Sequence, residues 1–181
     1  MGHPSNPTSS VQPVSKTPKP SSVNWTGHLV HILDQSPEVL LTHLCKAFNG
    51  SPFMAHNLMQ MRVVDGRIQG HVDMSNHLIG NVAFKILHGG VAATLLDSIG
   101  GIVAMAEIYL RNEGERSDQM KKAGRLATVD MRIDYLAPGR GQYFVASAVV
   151  LRMGRKGCTM RMDLHNDDGQ HIATGIASYA Y

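Results

Sequence analysis

From residue 36 onward the hydrophobic pattern of the chain switches between two periods. "SPEVLLTHLCKAFNGSP" spaces its apolar residues as a helix does, with Val39, Leu40, Leu44, Ala47 and Phe48 along one face. Ser36 stands at the N-cap position, Pro37 suits the first helical position, and Gly50 and Pro52 end the run. In "HNLMQMRVVDGRIQGHVDMS" the central Asp65-Gly66 is a hairpin signal. Beyond it Ile68, Gly70, Val72 and Met74 alternate with Arg67, Gln69, His71 and Asp73, which is the period of a half-buried strand. "NHLIGNVAFKI" reads as a loop leading into a long apolar segment, "LHGGVAATLLDSIGGIVAMA".

That segment predicts a helix over residues 89–110, opened by Gly89-Gly90 and closed by Arg111-Asn112-Glu113-Gly114. It is apolar nearly all round, so other elements must cover most of its sides. "RNEGERSDQMKKAG" reads as a polar, mobile loop. Four alternating runs follow. The first puts Ala127, Val129, Met131, Ile133 and Tyr135 on one face and Thr128, Asp130, Arg132 and Asp134 on the other, and Pro138-Gly139 ends it. "QYFVASAVVLRMG" is the second. "GCTMRMDLHNDDG" is the third, with Cys158, Met160, Met162 and Leu164 inward, and Asp168-Gly169 signals a hairpin into "QHIATGIASYAY". The last four strands are expected to form an antiparallel meander. A curved antiparallel sheet wrapped around one long central helix, an α+β architecture, satisfies the whole pattern.

Composition narrows the possibilities. The chain has 181 residues, 43% hydrophobic and 17% charged, enough for one domain with a real core. Residues 1–25 hold no apolar run and five of the first twenty residues are proline, the composition of a solvated, disordered tail without a secretory signal. Residues 26–50 are then a helical extension and residues 51–181 the main domain. The net charge is +3, and the densest basic pairs are Lys121-Lys122 and Arg155-Lys156, too thin for a nucleic-acid groove. Two cysteines, Cys45 and Cys158, and ten dispersed histidines match no redox or metal spacing, so a cytoplasmic protein with reduced thiols and no metal is expected. Residues 89–106 approach membrane-spanning length. A central Asp97 would cost about 2.5–3.5 kcal/mol there and basic flanks are sparse, so a buried helix is the better reading.

The chemistry gathers around that acid. The first N–H groups of a helix lack internal partners and sit at its positive end, and glycines let a ligand approach them. Gly89 and Gly90 therefore offer a place for an oxyanion or a polarised carbonyl. Asp97 lies seven residues past Gly90, close to two turns, on about the same face and about 10 Å along the axis. One carbonyl bound at Gly89 cannot also touch this Asp97, so a shared substrate requires the acid of a second copy. The plainer alternative is that Asp97 caps a loop or pairs with Arg125 or Arg132.

These residues carry a resemblance. "LHGGVAATLLDSIGGIVAMA" resembles the signature of hotdog-fold acyl-CoA thioesterases of the phenylacetic-acid-degradation type, with His-Gly-Gly and an acid nine residues after the His. "ATVDMRIDYLAPGRG" and "LRMGRKGCTMRMDLHNDDGQHIATGIASYAY" resemble the strands that follow, and together the likeness spans residues 51–181. It implies a hotdog fold and hydrolysis of acyl-CoA to CoA and a carboxylic acid, with no cofactor beyond the CoA of the substrate. It implies Asp97 as the acid that activates water or attacks the thioester, and Gly89, beside Gly90, as the amide that polarises the carbonyl. His88 shapes the loop, Thr128 helps hold the water, and Asn81 assists at the carbonyl, although its spacing to His88 is one residue longer than the pattern. Gly154, Arg155 and Lys156 fall where the family meets the CoA arm, and a dimer or dimer of dimers is implied, with no nucleic-acid or membrane partner.

Plainer readings stand beside these. Arg155-Lys156 is equally a solvated turn, Thr128 an ordinary strand residue, and Met105, Met131, Met160 and Met162 core residues rather than acyl-pocket lining. The same body could bind an acyl-CoA or acyl chain without cleaving it, and a hydratase of this fold is a further alternative that lacks its acid–histidine pairing here.

Overall fold

The computed structural model describes residues 36–181. The expected tail and the start of the helical extension lie outside the described residues. Helix α1 (Pro37–Asn49) has the expected limits, with Ser36 at the N-cap position and Gly50 as its C-cap, but the Ser36 side chain makes no capping hydrogen bond. Its buried face is Leu40, Leu41, Leu44 and Cys45, while Ala47 is exposed, so the apolar stripe is rotated from the expected one. A five-residue helix, α2 (Pro52–His56), follows, capped by the Ser51 side chain. Strands β1 (Met59–Val64) and β2 (Arg67–Asp73) pair antiparallel around Asp65-Gly66. Both turn residues have positive φ, 49° and 71°, as a tight two-residue hairpin requires. Ile68, Gly70 and Val72 are buried, as the alternation predicts.

The segment read as a loop instead contains a one-turn 3-10 helix (Asn76–Leu78) and a two-stranded ribbon, β3 (Ile79–Asn81) with β4 (Ile86–Leu87). These strands are too short for sequence periodicity to register. Helix α3 covers Gly89–Leu110, as expected. The polar stretch after it is not a loop. It forms helix α4 (Arg116–Arg125), which buries Gln119 and Ala123. Gln119 Nε2 donates to Asn112 Oδ1 at 3.2 Å and to the Gly114 carbonyl at 3.2 Å, so a polar residue anchors this helix and hides it from a hydrophobicity pattern.

Strands β5 (Ala127–Tyr135), β6 (Tyr143–Met153), β7 (Gly157–Asn166) and β8 (His171–Ala180) complete a six-stranded antiparallel sheet in the order β1-β2-β6-β7-β8-β5. The expected four-strand meander is therefore corrected. Strands β6, β7 and β8 are consecutive neighbours, but β5 pairs with β8 and β6 pairs with β2. Pairing β6 to the hairpin lets the sheet continue past both flanks of α3 and cover a helix that one four-strand meander would leave half open. Strand β5 is thus an outer strand.

Helix α3 lies in the concavity. Leu95, Leu96, Ile99, Ile102 and Ala104 are fully buried, facing Val72, Phe144, Ala146, Met160, Met162 and Leu164 of the sheet. Complete burial of each large apolar side chain contributes about 1.5–3 kcal/mol. Leu40, Leu41 and Leu44 of α1 join the same cluster. Among the described residues α3 is the one helix long and apolar enough to cross a membrane, and its packing accounts for that composition. This is the α+β hotdog architecture.

Both thiols are unpaired and buried. Burial pushes the Cys45 thiol up to about 11, and burial also raises Cys158 against a lowering hydrogen bond from the Tyr179 backbone. We therefore expect the native protein at pH 8 to give no rapid signal with a disulfide-based thiol reagent, and two thiols per chain after unfolding. Fast stoichiometric labelling of the native protein would contradict this burial.

Candidate active site

Asp97 sits at the third turn of α3, half-buried, on the side facing β5 and β8. Two hydroxyls meet it. Thr128 Oγ1 donates to Asp97 Oδ1 at 2.8 Å. Tyr179 Oη donates to the Asp97 main-chain carbonyl at 3.0 Å and lies 3.4 Å from Oδ1. Among the described residues Oδ2 receives no hydrogen bond, which leaves one carboxylate oxygen free. Arg132 is occupied by Asp134 at 3.0 Å, so an arginine pairing of Asp97 through that residue is not formed.

The alternation had placed Thr128 on the face away from the core. A bulge reverses that. Thr128 pairs with Tyr179 and Asp130 with Ser178, so Val129 is an extra residue on β5. Thr128 thereby shares the face of Met131 and Ile133, towards the helix, and Val129, expected inward, is 68% exposed. Tyr179 was not singled out by sequence reasoning, since it reads as one more alternating apolar residue near the C-terminus. The signal that could have found it is Gly100. A Cβ there would collide with the Tyr179 hydroxyl, so only glycine, three residues after the acid, admits the phenol. Burial, then the Asp97 charge and hydrogen bond, push the Tyr179 phenol far above its ordinary range. Both effects favour the neutral, donating phenol.

The helix start forms the second half of the site. His88 is the N-cap of α3, and its Nδ1 accepts from the Gly90 N–H at 2.9 Å. The Gly89 carbonyl accepts from Tyr135 Oη at 2.9 Å. Among the described residues the Gly89 N–H has no acceptor, the state expected of a first-turn amide. A hollow of about 410 Å³ opens beside it, lined by Ile86, Leu87, Ala92, Tyr135, Ala137 and Ile172 among others. Gly89 and Asp97 are eight residues apart, about 12 Å along one helix. The chain brings Asp97, Thr128 and Tyr179 together, and separately His88, Gly89, Gly90 and Tyr135.

Asn81 belongs to neither group by contact. Its Oδ1 accepts from the Ala83 and Phe84 amides at 3.1 and 3.3 Å, closing the exposed β3–β4 turn. Strand β3 abuts the helix start just before that turn, because an added Cβ at Gly80 would lie 2.7 Å from His88 Cα. Gly154, Arg155 and Lys156 form the β6–β7 turn. They border a hollow of about 370 Å³ that reaches Val129, next to Thr128. Arg155 also borders a second hollow of about 290 Å³ with Arg111, Glu113 and Lys122. Among the described residues no group of three or more His, Cys, Asp or Glu side chains converges as metal ligands would.

A sheet curved around one buried helix, with an acid on that helix held by a neighbouring strand, defines the hotdog class. The thioesterase superfamily model matches residues 84–173, from the β3–β4 turn through the start of β8. A crystal structure of a Shewanella oneidensis protein related to the thioesterase superfamily superposes with a TM-score of 0.74, at 35% identity, over 80% of this chain and 96% of that one. The chain belongs to the thioesterase superfamily. It is also 42% identical over 103 residues to the medium/long-chain acyl-CoA thioesterase YigI of Salmonella typhimurium, and 41% identical to that of Escherichia coli K12. Each match covers 56% of this chain and spans 66% of the relative's length.

The Gly100–Tyr179 contact is testable by stability alone. Gly100→Ala is expected to destabilise the fold by about 1–3 kcal/mol through overpacking. In a Tyr179→Phe background the same change should cost at least about 0.5 kcal/mol less, measured by denaturant unfolding of all four variants. Additive effects would show that the phenol does not depend on that glycine.

Proposed function

We propose that this protein hydrolyses acyl-CoA thioesters to free CoA and a carboxylic acid, as a thioesterase of the phenylacetic-acid-degradation type. The observation that carries the reading is Asp97, fixed through one oxygen by Thr128 while its other oxygen is free, on a helix whose opening amide is also free. The 41–42% identity to medium/long-chain acyl-CoA thioesterases supports the same substrate class.

In this reading the Gly89 N–H donates to the thioester carbonyl, with Gly90 and His88 shaping the helix start and Asn81 assisting at the carbonyl. Asp97 Oδ2 takes a proton from water as the water oxygen bonds to the carbonyl carbon. The oxyanion rests on the Gly89 amide, a donor of the kind worth about 2.7–4 kcal/mol in transition-state stabilisation. The carbon–sulfur bond then breaks, CoA leaves as the thiolate, and the proton on Asp97 neutralises it. Thr128 holds the carboxylate and the water in line. Gly154, Arg155 and Lys156 take the CoA arm along the basic hollow that begins at Val129.

The 12 Å between Gly89 and Asp97 makes this a two-copy site, the amide from one chain and the acid from its partner. The outer edge of β5, unpaired among the described residues, supports that assembly, as do its exposed Val129 and Tyr135, at 68% and 55%. A dimer or dimer of dimers follows. Two unpaired buried thiols favour the cytoplasm as its location. Residues 51–181 are the catalytic unit and residues 26–50 an extension, of which α1 packs on that unit.

Asp97→Ala is expected to lower kcat on octanoyl- to palmitoyl-CoA by about 10²–10⁴-fold while leaving the circular dichroism spectrum unchanged. Wild-type turnover by that folded variant would remove the acid from the mechanism, and a wild-type protein inert on the whole acyl-CoA series would end the thioesterase reading. Arg155→Ala should raise KM for CoA esters by about two- to fivefold with little change in kcat. An unchanged KM would return Arg155 to the role of a solvated turn residue.

A further inference from the structure

We propose that Tyr135 is a positioning residue of the reaction: its hydroxyl holds the carbonyl, and the His88 ring the N–H, of the one peptide that joins Gly89 to Gly90, which fixes the Gly89 backbone so that the Gly89 N–H alone is presented to substrate. The inference rests on the hydrolase reading and goes beyond it by assigning a residue on β5 to the helix-start half of the site.

Three observations carry it. First, Tyr135 Oη donates to the Gly89 carbonyl at 2.9 Å across 46 positions of sequence, so this is a tertiary contact and not a local turn. By helix geometry a carbonyl at that position is already served by the amide four residues on. The phenol is therefore not needed to satisfy a buried polar group, and its bond acts on orientation. Second, the ring itself covers Gly89. A Cβ built there would meet Tyr135 Cε1, Cζ and Oη each at 3.4 Å, so the aromatic edge lies within van der Waals reach of the Gly89 backbone. Third, Tyr135 is 55% exposed and lines the hollow of about 410 Å³ that opens at Gly89, so the side chain that holds the peptide also walls the space next to it.

Glycine is the residue least able to hold its own backbone in place. Two adjacent glycines at a helix start would let the peptide that carries the free amide rock, and an amide that wanders by a fraction of an ångström loses much of its value as an oxyanion donor. The structure pins the peptide that joins the pair at both of its groups: His88 Nδ1 receives its N–H, that of Gly90, at 2.9 Å, and the Tyr135 hydroxyl holds its carbonyl, that of Gly89, so the Gly89 backbone is fixed directly beside the free N–H on the preceding peptide. What is left without a protein partner, among the described residues, is the donor that the reaction needs.

The test uses the full-length chain and Tyr135→Phe, which keeps the ring and removes only the hydroxyl. With an acyl-CoA that the wild-type protein hydrolyses, kcat should fall by about three- to tenfold, the weight of one neutral hydrogen bond. KM and the thermal midpoint should stay as in the wild type. In ¹⁵N-glycine-labelled protein, the Gly89 amide resonance should broaden or shift in the variant, while glycines of the β1–β2 and β7–β8 turns should not. An unchanged kcat, or a loss of kcat matched by a fall in thermal stability, overturns the proposal. So does an unmoved Gly89 resonance, which is read without any turnover. If the wild-type protein hydrolyses no acyl-CoA, the enzymatic reading fails first, and the glycine spectrum still decides whether the phenol holds the peptide.

Discussion

Burial of α3 in the concavity of the sheet is the constraint on which everything else depends. A helix apolar on nearly every side has no stable place on a surface, so strands must pass along both of its flanks. That demand explains why β6 joins the β1–β2 hairpin while β5 is carried to the far side of β8. It also explains why Asp97 is tolerable. The acid lies where the sheet ends, at the margin between β8 and the outer strand, and there two hydroxyls replace the water it would otherwise bind. A carboxylate one helical face away, among Leu96, Ile99 and Ile102, would have no such partners.

The same outer strand serves both halves of the site. At its start a single extra residue turns Thr128 towards the acid, and at its end Tyr135 reaches the opening glycines. Strand β5 thus spans the length of helix that separates the two groups, about 12 Å. Its outer edge pairs with no strand among the described residues, and exposed apolar side chains stand along it. On the proposed reading, a second copy running the other way along this edge would bring an acid to each amide, which is the geometry a thioester carbonyl requires. An edge left bare in an isolated chain would be a hazard, and one used in assembly is not.

Neutral hydroxyls, not charges, organise the acid. Burial beside a carboxylate favours the neutral Tyr179 phenol, which donates to the Asp97 carbonyl. Thr128 orients one oxygen and leaves the other open. An arginine in either place would have paired the carboxylate and quenched it as a base. At the helix start the logic is similar, since His88 and Tyr135 each engage a backbone group next to the free amide without occupying it.

Much of this was legible along the chain, because the cues are local. The two-residue turn at Asp65-Gly66, the limits of α1 and α3, and the inward set Cys158, Met160, Met162 and Leu164 follow from turn chemistry and period alone. Asp97 stood out as the one charged residue before Glu107 in an apolar helix, and the two glycines marked its opening. Helix α4 escaped because its anchor, Gln119, is polar, and the β3–β4 ribbon because it is shorter than any period. What the sequence determined by itself was the identity of each element and the candidacy of its acid and glycines. Only the tertiary structure decided which strands are neighbours, that a bulge turns Thr128 inward, and that Tyr179 and Tyr135 reach residues 82 and 46 positions away. Pairing, register and such contacts are choices among distant segments, settled by which arrangement covers α3, and no local pattern encodes that competition.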